Sequence, residues 1–171
     1  MPVLVTPSVA YRESYLAALR EFHAEGRNTH LDAQRIAADF GTFVHNLLDE
    51  SERTKVTPGR VPASTYWLVE GDTFIGRISV RHELNDHLRK IGGHIGYEIR
   101  PSVRRRGYGT EGLRLALEEA RKLGLSKVLV TCDVDNVASR RIIEHNGGIL
   151  EVETKIEEHD VPIARYWIDL D

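Results

Sequence analysis

The chain has 171 residues, 41% of them hydrophobic, which suffices for one domain with a real core and is too short for two comfortable ones. A formal net charge of -3 offers no overall basic field for nucleic acid or anionic membrane, so any anion it binds must be held locally. The opening residues carry no basic leader, no apolar run is long enough to cross a bilayer, and the single cysteine, Cys132, has neither a disulfide partner nor neighbours for a structural zinc. A cytoplasmic, metal-free domain stabilised by packing is expected.

Val3 to Val5 is a short β-rich run, after which Tyr15, Ala18, Leu19 and Phe22 recur at the spacing of one helical face. His30 to Glu50 repeats that period through Leu31, Ile36, Phe40, Val44, Leu47 and Leu48, predicting a second helix. The period is lost from Ser51 to Pro62, an exposed loop with Pro58, Gly59 and Pro62. Thr65 to Val69 and Phe74 to Val80 flank Glu70-Gly-Asp72 and predict an antiparallel hairpin. A polar connection leads to a strand at His94 to Arg100, stopped by Pro101. Leu113, Ala116, Leu117, Ala120 and Leu123 then mark a helix ending at Gly124, and Val128 to Cys132 a further strand. Val137 to Asn146 reads as helix, and Ile149 to Thr154 and Ile163 to Leu170 as two last strands. The expected fold is α/β, a mixed, mostly antiparallel sheet of about seven strands flanked by about four helices.

The segment Arg100-Pro-Ser-Val-Arg-Arg-Arg-Gly-Tyr-Gly-Thr-Glu-Gly112 lies between a predicted strand and an amphipathic helix. Amides at a helix N-terminus lack intrahelical acceptors and sit at the positive end of the dipole, and Gly107 and Gly109 let an anion approach the main chain. Arg104, Arg105 and Arg106 add charge there; the competing reading is a solvated turn. Gly107-Tyr-Gly-Thr-Glu-Gly112 also matches the dinucleotide pattern G-x-G-x-x-G, with Asp133 after the next strand as a ribose-binding acid. Against a dinucleotide-dependent oxidoreductase stand the six residues between strand and glycines, the short remaining chain and the antiparallel hairpin upstream.

From Tyr66 to Leu170 the sequence resembles the GNAT superfamily of acyl-CoA-dependent N-acetyltransferases. The family signature, Arg or Gln followed by x-x-Gly-x-Gly or Ala, is met by Arg104, Gly107 and Gly109 between a strand and a helix. Asp135-Asn-Val-Ala-Ser139 looks like the family's second cofactor segment, with Asn136 and Ser139 at the matching positions. Ile95-Gly-Tyr-Glu-Ile-Arg-Pro101 with Thr131-Cys-Asp-Val-Asp-Asn136 is most similar to bacterial members described only as predicted acetyltransferases, without an assigned substrate. The resemblance implies acetyl-CoA as cosubstrate and a small-molecule or peptide amine as acceptor. It further implies that Ile99 and neighbouring backbone bind the pantetheine and acetyl carbonyl, that Arg104, Arg105, Arg106, Gly107, Tyr108, Gly109 and Thr110 cradle the pyrophosphate, and that Asn136 and Ser139 steady the pantetheine arm. Arg140 or Arg141 either reaches a nucleotide phosphate or lies on an exposed helix face. Self-association as a homodimer is an open expectation for such a domain.

Acetyl transfer needs a neutral amine, donors for a developing oxyanion and a proton for the leaving thiolate. The tyrosine that often supplies that proton in the family is replaced by Ile143, which leaves Tyr97, Tyr108, Tyr166 or water. Glu98 and His94 share one face of their strand and Tyr97 and Ile95 the other, so Glu98 is the carboxylate candidate for the base and Tyr97 the phenol candidate for the acid. The family's usual base positions match Gly93, Ile95 and Tyr97, which carry no base; a bulge near Ile99 would turn Glu98 inward. Asp133 is read as an amine ligand or a turn cap, and Cys132 as a buried strand residue or, less simply, an acylated nucleophile. A domain that binds acyl-CoA as a sensor, without efficient catalysis, is the alternative from a different class.

Overall fold

The computed structural model describes all 171 residues. Seven strands form two antiparallel sheets, one of four strands in the order β1-β2-β3-β4 and one of three in the order β5-β7-β6. The strands are β1 (Val3–Val5), β2 (Ala63–Glu70), β3 (Thr73–Arg81), β4 (Ile95–Ile99), β5 (Lys127–Asp133), β6 (Ile149–Thr154) and β7 (Ile163–Asp169). Six α-helices accompany them: α1 (Arg12–Ala24), α2 (Ala33–Ala38), α3 (Phe40–Asp49), α4 (Asp86–Lys90), α5 (Tyr108–Lys122) and α6 (Val137–His145).

The helix count exceeds the expected four for local reasons. The single helix expected from His30 to Glu50 is broken at Asp39, whose backbone leaves the helical region (φ -144°, ψ 70°). Its carboxylate accepts from Thr42 N–H at 3.1 Å and from Thr42 Oγ1 at 2.7 Å, so a side-chain cap starts α3 where the apolar period alone continues the helix. The short α4 lies inside the polar connection and is started the same way, Asn85 Oδ1 accepting from Leu88 N–H at 2.8 Å. The expected single sheet is divided as well, because β4 and β5 lack a backbone ladder.

The four-stranded sheet is covered on both faces. On one side Ile78 and Val80 pack with Leu113, Ala116 and Leu117 of α5 and, through Val128, Val130, Ile143 and Tyr166, with the second sheet. On the other, Trp67, Val69 and Phe74 pack under Tyr15, Leu19 and Phe22 of α1 and Phe40 and Val44 of α3. Strand alternation produces the division, and the register shift between Leu68 and Val69, where Ile75 is skipped, moves Phe74 to the face opposite Ile78 and Val80. Each fully buried large apolar side chain contributes about 1.5–3 kcal/mol, so both layers are needed.

Candidate active site

One rung at the start of β4, beside a bond from Gly92 N–H to Thr131 Oγ1 at 2.8 Å, links the sheets. His94 N–H donates to the Leu129 carbonyl at 2.8 Å, and Leu129 N–H returns a bond to His94 Nδ1 at 2.9 Å. A side-chain nitrogen therefore ends the pairing where a carbonyl would have continued it. Gly93 permits the approach: it has φ 59°, and a Cβ there would stand 2.3 Å from the Leu129 carbonyl oxygen. Past this junction β4 is bonded to β3 alone, and a gap separates it from β5.

The edge of β4 facing that gap is polar. Arg81 N–H donates to the His94 carbonyl at 2.7 Å, which sets residues 94, 96 and 98 as the bonded positions against β3. Antiparallel alternation then turns the N–H and C=O of Tyr97 and Ile99 the other way, toward the gap. Consistent with this, the Ile99 carbonyl accepts from Arg104 Nε at 3.1 Å.

At the mouth of the gap is the glycine-containing turn. None of the N–H groups of residues 105 to 110 has an acceptor within the protein; the first hydrogen bond of α5 runs from Glu111 N–H to the Gly107 carbonyl at 3.1 Å. Arg105 (φ 63°) and Gly107 (φ 83°) adopt left-handed backbone within this turn, a conformation of the kind that turns nearby amides toward an anion. Gly109 is buried with the Ile142 side chain 2.6 Å from where a Cβ would stand, which brings the start of α5 close against α6. Arg104, although part of the signature, points away: its guanidinium forms a two-pronged pair with Glu25 at 2.7 and 2.9 Å. Arg105 and Arg106 are exposed and form no ion pair. The Tyr108 hydroxyl donates to Glu70, and the Thr110 carbonyl accepts from Asn146 Nδ2 at 3.1 Å.

Inside the gap the Tyr97 hydroxyl lies 2.7 Å from Ser139 Oγ. Burial pushes the Tyr97 phenol up to about 12, so it stays protonated. Ser139 is held at the start of α6 by Asn136, whose Oδ1 accepts from Ser139 N–H at 3.1 Å. Burial raises the pKa of the Cys132 thiol, which opposes nucleophilic use. Of the tyrosine candidates only Tyr97 lies here: Tyr108 is bound to Glu70, and Tyr166 bonds Glu144 and Arg140 in the second sheet. Ile143 is fully buried in the core. Arg140 is committed to Tyr166, the Val134 carbonyl and Glu153, and Asp133 pairs with His159 at 2.7 Å. Burial and, next, the charge of Arg81 lower His94 to about 4; with its Nδ1 occupied it offers no base.

Glu98 faces the opposite side of β4, into a cleft of about 660 Å³ between the sheet and α1, α3 and the 51–62 loop. No bulge in β4 is needed to put it there, since its register against Arg77 is regular. Its side chain is 9% exposed and accepts from Asn28 Nδ2 at 2.9 Å, with Arg77 at 3.4 Å and Arg27 at 3.5 Å. The helices and the 51–62 loop that wall this cleft are those the family resemblance implies for an acceptor pocket, whereas its floor was not singled out from the sequence. Its floor runs in rows across the sheet, Trp67–Arg77–Glu98 and Thr65–Ser79–Gly96, and Arg81 extends the same face of β3. The period-2 recurrence of Arg77, Ser79 and Arg81 in an otherwise apolar strand was the available signal.

A strand pair that opens beside unpaired amides at the start of a helix defines an acyl-CoA-binding α/β domain. The model of the acetyltransferase (GNAT) domain matches residues 16–149, and the chain belongs to that family, as an acetyl-CoA-dependent N-acetyltransferase. No curated protein matches the sequence significantly. Among solved structures, it is similar to a Salmonella typhimurium acetyltransferase that modifies the N-terminal serine of a 50S ribosomal subunit protein, at 18% identity and TM-score 0.69 over 99% of this chain and 95% of that one. It is also similar to the microcin self-immunity acetyltransferase MccE in complex with acetyl-CoA and AMP, at 16% identity and TM-score 0.70 over 98% and 92%. A chimera of the Vibrio cholerae spermidine N-acetyltransferase SpeG follows at 14% identity and TM-score 0.65 over 99% and 95%. The rival dinucleotide fold requires a parallel sheet, whereas every strand pair here is antiparallel. No helix is long and apolar enough to cross a membrane.

Proposed function

We propose that this protein transfers an acetyl group directly to a primary amine, with acetyl-CoA on the gap side of β4 and the amine in the cleft on its other face. One observation carries the reading: the unpaired amides of residues 105 to 110 stand at the mouth of the only break in the sheet. These groups suit the diphosphate of CoA, since amides left without acceptors at a helix start favour anions. The Tyr97 and Ile99 amides suit the pantetheine and the thioester carbonyl, and Asn136 holds Ser139 in position beside Tyr97.

Acetyl-CoA supplies an activated acetyl group; the chain supplies orientation and proton handling. Glu98 receives the acceptor's ammonium group and takes its proton. A main-chain N–H of the gap-facing edge stabilises negative charge on the carbonyl oxygen. The Tyr97 hydroxyl, whose phenol is too weak an acid to protonate a thiolate outright, hydrogen-bonds the departing sulfur while water provides the proton.

Calorimetry with acetyl-CoA, free CoA and NADH tests the cofactor assignment; binding of NADH without CoA overturns it. A thiol-release assay over a panel of amines tests catalysis. Acetyl-CoA binding with no thiol release from any amine would favour the acyl-CoA sensor, which the loss of a tyrosine to the buried Ile143 keeps as the second reading.

A further inference from the structure

The cleft that holds Glu98 has a charge pattern unlike that of the chain as a whole. The protein carries a net charge of -3, yet Lys55, Arg60, Arg77 and Arg81 line this cleft against only Glu50 and Glu98. Lys55 is neutralised by Asp49 and Glu52 at 3.0 and 3.2 Å, and Arg77 shares Glu98. Arg60 and Arg81 form no ion pair. The Arg81 guanidinium spends one nitrogen on the Gly92 and Gly93 carbonyls at 3.0 and 3.1 Å, neutral acceptors that leave its charge uncompensated.

Arg81 lies on the floor of the cleft over a glycine. A Cβ on Gly96 would stand 3.7 and 3.8 Å from its two terminal nitrogens, so the guanidinium lies over β4 at the glycine. Glu98 is two residues further along the same face of β4, about 7 Å away at the rise of a strand. The three arginines crowd one another enough that burial, then Arg77 and Arg60, disfavour the charged form of Arg81. Like charges gathered in a half-buried site cost stability unless an anion joins them. A further donor lacks a partner: the indole N–H of Trp67, in the row of Arg77 and Glu98, is the one buried side-chain polar atom without a hydrogen bond.

We infer that the acceptor is a small amine that also bears an anionic group, a carboxylate or phosphate, with the amine at Glu98 and the anion at Arg81 and Arg60. This rests on the acetyl-transfer reading and narrows its substrate class. The spacing suits an amine and anion separated by roughly 5–7 Å, the reach of two strand residues. A polycation is disfavoured, because its second charge would meet the like charges of the half-buried Arg81 and of Arg60.

The test is acetyl-CoA-dependent thiol release on matched pairs: 4-aminobutyrate against n-butylamine, and O-phosphoethanolamine against ethanolamine, with spermidine as the polycation. The expected result is at least a tenfold higher kcat/KM for the anionic member of one pair, which also tells carboxylate from phosphate. In Arg81→Gln that advantage should collapse, mainly through KM. Because Arg81 also bonds two carbonyls, Arg60→Gln on the exposed loop is the second variant, expected to narrow the same gap severalfold. Equal or better turnover of the uncharged partners or of spermidine overturns the inference. So does a complete lack of turnover together with no saturation-transfer signal from 4-aminobutyrate or O-phosphoethanolamine on the CoA-loaded protein. Failure to bind acetyl-CoA in calorimetry would instead strike the underlying acetyl-transfer reading, so the two failures are distinct.

Discussion

The two sides of β4 offer a ligand different kinds of groups. On the gap side the groups on offer are main-chain amides: six at residues 105 to 110 and those of Tyr97 and Ile99 along the strand. On the cleft side they are side chains gathered from distant parts of the chain, with Asn28, Arg77 and Glu98 meeting across some seventy residues. Backbone recognition depends on conformation, so it is altered by changing a glycine or a cap and is indifferent to most side chains. Side-chain recognition depends on identity, and a new acceptor can be accommodated without touching the fold. One chain thus carries a fixed half and an adjustable half on either side of a single strand.

The largest expected effect breaks the fixed half alone. In Gly107→Glu, a residue with φ 83° must adopt a left-handed backbone that costs about 1 kcal/mol, and its carboxylate enters the turn of unpaired amides. Loss of several hydrogen bonds to a charged ligand, each about 1.5–3 kcal/mol, lowers CoA affinity on the order of a hundredfold or more. Calorimetry measures it; unchanged affinity would mean the diphosphate binds elsewhere.

Glu98→Gln should act on the other half. Acetyl-CoA affinity is expected to stay within a factor of about two, while kcat/KM falls roughly a hundredfold, the ordinary worth of a general base. The acidic limb of the pH–rate profile should vanish with it. A variant that keeps the limb removes Glu98 from proton transfer and leaves it as an ion-pair partner of Arg77 and Arg27.

These two halves differed in legibility as well. The arginine–glycine turn, the Asn136 cap and the strand–helix–strand unit around them could be read locally, because the unpaired amides are set by residues a few positions apart. The expectation of charge from Arg104 met a fact no local pattern holds: Glu25, at the end of α1, claims its guanidinium. The break of the second helix at Asp39 was concealed by an apolar period that runs through both α2 and α3. The floor of the cleft was least visible. Arg77, Ser79 and Arg81 alternate in plain sight, but that the Arg81 guanidinium lies over Gly96 is a relation between strands.

Tyr97→Phe sharpens the boundary between the faces. The ring stays, and only the hydroxyl bonded to Ser139 at 2.7 Å is lost. A hydrogen bond worth about 1 kcal/mol predicts a roughly fivefold fall in kcat with the pH profile intact, because a phenol held near 12 does not titrate in the working range. A fall of a hundredfold or more, with loss of the basic limb, would make Tyr97 the acid itself and water dispensable.

The smallest effect concerns the rung at which both halves meet. His94 ordinarily titrates near 6.5, and in the fold burial, with Arg81 second, lowers it to about 4. The unfolded chain therefore takes up a proton that the folded chain refuses, so stability is full above about pH 6.5 and declines as pH falls toward 4, by at most one proton's slope. His94→Gln keeps an acceptor for Leu129 N–H and has nothing to titrate; denaturant midpoints measured from pH 7 to 4 should show a flatter decline than in the parent. An identical slope would place the acid sensitivity in the carboxylates instead. Arg81→Gln offers the complementary shift: with the guanidinium gone, His94 binds its proton more readily in the fold, and the difference between parent and His94→Gln narrows. One arginine would then be felt both at the rung that opens the gap and in the cleft beside Glu98, which is why neither face of β4 can be altered there without the other.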